Sequence, residues 1–276
     1  METALIIILI VAVLVITYLA LPSIISNFNK GSTAVTAPLP SNYGLLLNEH
    51  VNFYKQLDAS KKAEFENRMQ VFLSRIKITG VRTTVEDIDR VLIAAGAIIP
   101  IFGFADWEYI NLHEVLLYPD AFSDGFDQKG KDRDILGMVG SGAYQNIMIL
   151  SQQQLRAGFE NATSKSNTAI HEFVHLIDKT DGAVDGVPES ILSDPLVRPW
   201  LDKIHESIKQ IMENRSDINP YGATNAAEFF AVVSEYFFKR PDLLQNNHRQ
   251  LYELLVTIFK QQPKNASDAE TAIDPV

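Results

Sequence analysis

The chain has 276 residues, a formal net charge of −10, 46% hydrophobic and 21% charged residues, and no cysteine. That length suffices to bury a sizeable core, and the lack of thiols excludes disulfides and thiolate metal sites, so zinc would have to rest on histidine and carboxylate. With no block of lysine or arginine, a nucleic-acid partner is excluded as well, because phosphate binding needs clustered cations.

The first predicted element is ALIIILIVAVLVITYLAL, Ala4 to Leu21, 18 residues without a charge. That is the short end of the roughly 17–25 that span a bilayer as a helix. Glu2 precedes it with no lysine or arginine, and Tyr18 stands where a cleavable signal needs a small residue, so the run reads as an uncleaved transmembrane anchor. The first cation is Lys30, followed by Lys55, Lys61 and Lys62, which favours a cytoplasmic body by the positive-inside bias. The expected organisation is an anchor over 1–26, a polar linker over 27–44, a folded body over 45–262 and a disordered tail over 263–276.

Within the body, Leu57, Phe65, Met69, Phe72, Leu73 and Ile76 recur at helical spacing between Lys55 and Lys77. A second helix should open at Thr83 or Thr84 and be closed by Pro100. Its run VLIAAGAIIPIFGF is apolar all round, which predicts a buried core helix too short to span a membrane. EVLLYPD (114–120) and YQNIMILS (144–151) read as strands, separated by the charged, glycine-containing loop SDGFDQKGKDRD. Helices follow over about 164–179, 195–214, 225–239 and 247–261, with TDGAVDGVP as turns after the first of them. The pattern predicts an α+β fold, mostly helical with a small mixed sheet.

The chemistry concentrates in HEFVHLID, 171–178. Positions four apart on a helix share a face, so His171 and His175 can converge on one ion. Glu172 lies about 100° round from His171, too far to bind the same ion but close enough to reach a water on it. Metal-assisted hydrolysis needs that division of labour. The plainer alternative is an amphipathic helix with two ordinary histidines. A catalytic site takes a third protein ligand and keeps one position open; the candidates are His50, His113, His205, His248 or a downstream carboxylate. Glu228, in YGATNAAEFFAVVSEYFF (221–238), is the best of these, because a carboxylate among Phe229, Phe230, Val232 and Val233 is expensive to bury without a partner. Asn225 with Glu228 three residues on also fits a capping box, which would explain Glu228 by helix initiation alone. Glu235 lies two turns beyond Glu228, either orienting a ligand histidine or standing as a solvated charge. Asp178 has the same two readings.

HEFVHLID, GVP (186–188), Tyr221 and AEFFAVVSEYFF, with DWEYINLHEVLLYPDAF (106–122) upstream, resemble the Mlc titration factor A family of zinc-dependent peptidases over roughly 45–262. YGATNAAEFFA is also similar to the segment after the zinc helix in the catalytic domain of anthrax lethal factor. The resemblance implies a zincin-like metallopeptidase domain that binds Zn2+ through His171, His175 and Glu228. It makes Glu172 the general base and places Tyr221 beside the metal to steady an oxyanion. It implies a peptide or protein substrate and, since the family namesake is associated with sequestering a transcription repressor, a membrane-tethered regulatory protein with little turnover as the alternative. The substrate backbone is expected along a sheet edge, with 144–151 as that edge. Two features depart from the pattern. Familiar members lack an amino-terminal span, and the acidic residue that thermolysin-like enzymes place four after the glutamate ligand is here Val232, leaving support to Glu235, Asp178 or a backbone carbonyl. His113 carries no implied role and reads as a structural histidine.

Overall fold

The computed structural model describes residues 32–35, 39–120, 137–139 and 146–263. Among these no helix is long and apolar enough to cross a membrane, and the predicted anchor at Ala4–Leu21 lies outside the described residues, as does the tail from residue 264.

The sheet has the order β1-β2-β3-β5-β4, with β1 Ser32–Val35, β2 Lys77–Val81, β3 Glu114–Tyr118, β4 Gly137–Val139 and β5 Ile147–Ser151. The central three strands are parallel and the two outer ones antiparallel to their neighbours, so the sheet is mixed as expected. Within the 27–44 segment, Ser32–Val35 forms β1 against β2. One expectation is corrected. The stretch expected as the free edge, β5, is flanked by β3 and β4, leaving β4 as the outer strand on that side. Side chains alternate across the sheet with period two. Ile78, Val115, Leu117, Met148 and Leu150 join the main core, while Tyr118 and Ile149 form a small cluster on the other face.

The helices are α1 Tyr43–His50, α2 Asn52–Lys55, α3 Ala59–Arg75, α4 Asp87–Ile101, α5 Gln152–Glu160, α6 Thr168–Asp178, α7 Asp194–Met212, α8 Ala226–Lys239, α9 Pro241–Asn247 and α10 Arg249–Phe259. The apolar α4 is buried from Asp89 to Ile101, as its composition predicts. Pro100 does not close it. A proline in the last turn forfeits only one backbone bond, and the carbonyls there find other donors: Arg68 binds those of Ile101 (2.9 Å) and Phe102 (3.2 Å), and Gln261 those of Ile99 and Pro100. Gly96 lets α4 lie directly on α6, since a Cβ there would stand 2.7 Å from the Ala169 side chain. On the other side α6 packs against α8. The metal-motif helix is therefore the central one of three, with α8 facing it.

Strand β2 and helices α5 and α9 are not evident from the sequence pattern. β2 is a five-residue strand with an interior glycine, too short for a period to declare itself. α5 starts on a cap that the chain does carry, Ser151 accepting from the Gln154 N–H at 3.2 Å. It is held to α4 by buried Asp89, which receives Arg156 Nε (2.8 Å), Arg156 Nη2 (3.0 Å) and Gln152 Nε2 (2.7 Å).

Candidate metal centre

Helix α6 begins at Asn167, whose side chain accepts the Ile170 N–H at 3.1 Å. One turn of rise separates His171 from His175, and both turn their Nε2 atoms to the same point, 3.1 Å apart. Helix α8 supplies the third group. Its cap is Asn225, whose side chain accepts the Glu228 N–H at 2.9 Å. The Glu228 carboxylate takes no part in that bond and points at the histidines, with Oε2 3.1 Å from His171 Nε2 and 3.4 Å from His175 Nε2. The two readings of Glu228 thus separate by atom: its N–H belongs to the cap and its carboxylate to the site.

These three donor atoms are the one group among the described residues arranged to hold a metal ion. A tetrahedral ion with ligands at about 2.0–2.1 Å puts neighbouring donors about 3.3–3.4 Å apart, and separations of 3.1, 3.1 and 3.4 Å come close to that. The donor chemistry, two imidazoles and a carboxylate, suits zinc. The other histidines are not brought in. His113 is exposed, with its backbone N–H donating to the Asn146 carbonyl at 2.9 Å. His205 is exposed, His50 lies near Glu49, and His248 is bound to Asp217 at 2.6 Å. Glu114, beside His113, pairs with Lys77 at 2.9 Å.

Behind the two histidines, Glu235 takes the place left by Val232. It is buried; one oxygen lies 2.7 Å from His171 Nδ1, and the other accepts the Asn167 N–H at 2.5 Å. A single carboxylate thereby fixes the orientation of the His171 ring and the start of its helix, the support that metal-binding imidazoles ordinarily receive. Asp178 does something else: it is fully buried, and its Oδ2 accepts the Gly186 N–H at 2.9 Å.

The electrostatics favour positive charge among the three candidate groups. Burial works against protonation of His171, but its bonds to Glu228 and Glu235 outweigh that and hold its pKa up to about 10. Burial likewise opposes the Glu228 charge, and the two histidines overcome it, bringing its pKa down to about 2. Glu172 has the opposite balance. Burial pushes its carboxyl up, and the pull of His171 and His175 only partly offsets this. Tyr221 sits in a short 3-10 turn, Pro220–Ala223, half exposed, with its ring centroid 6.1 Å from that of His171. Burial raises its pKa, as does the nearby Glu228.

Residues 26–260 match the family described as Glucose-regulated metallo-peptidase M90. The chain is 32% identical over 239 residues to Uncharacterized protein slr2042 of Synechocystis sp., a match covering 82% of this chain and 86% of that relative. It is 32% identical over 169 residues to Mlc titration factor A of Yersinia enterocolitica and of Yersinia pestis. Those two matches cover 55% of this chain and 60% of the Yersinia proteins.

Proposed function

This chain belongs to the Glucose-regulated metallo-peptidase M90 family, and on that premise we propose that it is a zinc-dependent peptidase, with His171, His175 and Glu228 as ligands and Glu172 as general base. The observation that carries the reading is the convergence of three donor atoms from α6 and α8, beside a buried carboxyl whose charge couples to all three. Zinc bound there would polarise a substrate carbonyl and lower the pKa of a water toward about 7.

The chain's own residues supply the rest. Glu172, whose carboxyl burial pushes above the usual carboxylate range, takes the proton from the attacking water and returns it to the leaving amine nitrogen. Tyr221 donates a hydrogen bond to the carbonyl oxygen as it gains charge. Glu235 holds the His171 ring against rotation throughout. The substrate backbone pairs with the outer strand β4, in place of the interior β5. The uncharged run Ala4–Leu21 anchors the body to a membrane, with the body on the cytoplasmic side; protease protection on sealed vesicles tests this placement.

Glu172→Gln in the full chain should keep its zinc and lose about 10²–10⁴-fold in peptide hydrolysis. Undiminished hydrolysis would remove Glu172 from the mechanism. Tyr221→Phe should cost up to about 10²-fold in rate with zinc content unchanged. A second reading, that the chain binds a protein regulator, draws on its 32% identity to proteins named Mlc titration factor A. Tight binding of such a partner by Glu172→Gln, with no peptide turnover by the parent, would favour it.

A further inference from the structure

Two ligands stand on α6 and the third on α8, so the geometry of the site depends on what sets the two helices apart. One turn, at Gly186, touches both. Its N–H donates to the buried carboxylate of Asp178, the last residue of α6, at 2.9 Å. Its carbonyl accepts from Trp200 Nε1 at 2.6 Å, which ties it to α7. Its α-carbon faces the carbonyl of Ala226, the first residue of α8, so closely that a Cβ would overlap it. Glu228 follows two residues later in that same helical turn. The fully buried Trp200 ring meets Phe229 and Phe230, with centroids at 6.1 and 5.7 Å, and so presses on the same turn from a second side. Gly186 also has φ +78°, a conformation that glycine adopts without strain.

We propose that Asp178, Gly186 and Trp200 are positioning residues that set the distance of Glu228 from His171 and His175, and through it the affinity and geometry with which the ion is held. This rests on the ligand set proposed above. It also accounts for the burial of Asp178, whose carboxylate keys the turn to α6 while the turn braces the first turn of α8.

The test uses the full chain, with Zn2+ affinity measured by chelator competition and the visible absorption spectrum of the Co2+-loaded protein as a geometric readout. Gly186→Ala should weaken Zn2+ binding about 10–100-fold, the scale seen for groups that support ligands from behind, and should change the Co2+ bands. Gly182→Ala is the control. Gly182 also has positive φ, +99°, but no atom lies within 4 Å of a Cβ there, so it introduces the same kind of backbone strain without touching α8. It should leave affinity and spectrum unchanged. Asp178→Ala should weaken binding, and Asp178→Asn, which keeps an acceptor for the Gly186 N–H, should restore most of it. Trp200→Phe keeps a ring and removes the donor, giving a smaller loss that can be read even if Gly186→Ala does not fold. Unchanged affinity and spectrum in folded Gly186→Ala, Asp178→Ala or Trp200→Phe, or an equal loss in Gly182→Ala, would overturn the proposal. If the parent binds Zn2+ no better than His175→Ala, the ligand assignment fails instead.

Discussion

Histidine meets carboxylate at two places along α8, and the two clusters differ in how their hydrogen-bonding capacity is filled. Near its C-terminal half, Asp217 receives Lys165 Nζ (2.7 Å), Tyr236 Oη (2.8 Å), Asn247 Nδ2 (2.8 Å) and His248 Nε2 (2.6 Å). Three of these donors converge on Oδ2 and His248 meets Oδ1, so neighbouring side chains supply the carboxylate with donors at both oxygens. At the other end, two imidazole nitrogens and a carboxylate oxygen face one another at 3.1–3.4 Å, three possible metal-ligand atoms converging on one point. Burial opposes ionisation at both carboxylates and local donors outweigh it at both. The inventory of groups, more than any single distance, separates a hydrogen-bonded tie from a cluster arranged so that it could hold a cation.

That contrast can be broken by experiment. The largest effect is expected from Glu228→Ala, which should weaken Zn2+ binding by more than about 100-fold, since even supporting groups are worth about 10–100-fold. Unchanged affinity would return Glu228 to helix initiation alone. Glu235→Gln, which keeps the shape but removes the charge behind His171, should cost about 10–100-fold in the same titration. Asp217→Ala should leave Zn2+ affinity unchanged and lower unfolding stability by about 1–3 kcal/mol, read by denaturant titration, because the buried Tyr236 hydroxyl loses its acceptor. The folded-state pKa of Asp217 is depressed, so its contribution is present above its ordinary value near 3.8 and is lost as the pH falls further. The variant should therefore lose less stability in acid than the parent.

The smallest effect is protonic. His171, held up to about 10, carries its proton at pH 7 before an ion enters, so Zn2+ binding at pH 7 should release about one proton. Calorimetry in buffers of different ionisation enthalpy measures this, and no release would contradict it. In the metal-free protein the raised pKa stabilises the fold fully below the ordinary histidine value near 6.5, and this contribution fades as the pH rises through about 10.

Much of this is legible in the chain. The apolar run at 91–101 declares a buried helix, and the four-residue spacing of His171 and His175 places both on one face before any coordinate is known. Pro100 misleads because a proline in the last turn costs the helix only one backbone bond, while the end carbonyls of that helix are taken by Arg68 and Gln261 from distant segments. The parallel strand β2 escapes notice because its partner, β3, is remote in sequence and its own five residues have no distinctive period. For Glu228 both readings are legible in the chain, the cap from the spacing to Asn225 and the ligand from a carboxylate set among apolar neighbours.

What the sequence by itself determined is therefore local: which side chains share a helical face, where a cap stands, and that the absence of cysteine confines a metal to nitrogen and oxygen donors. Helical periodicity and donor chemistry act over a few residues, so they can be read from the chain. The tertiary structure alone decided that Glu228 turns its carboxylate to the histidines, that Glu235 rather than Asp178 holds His171, and that Gly186 lies between α6 and α8. Those relations join residues 8 to 64 positions apart, and the longer ones, from α6 to Glu228 and Glu235, exist because α6 packs against α8.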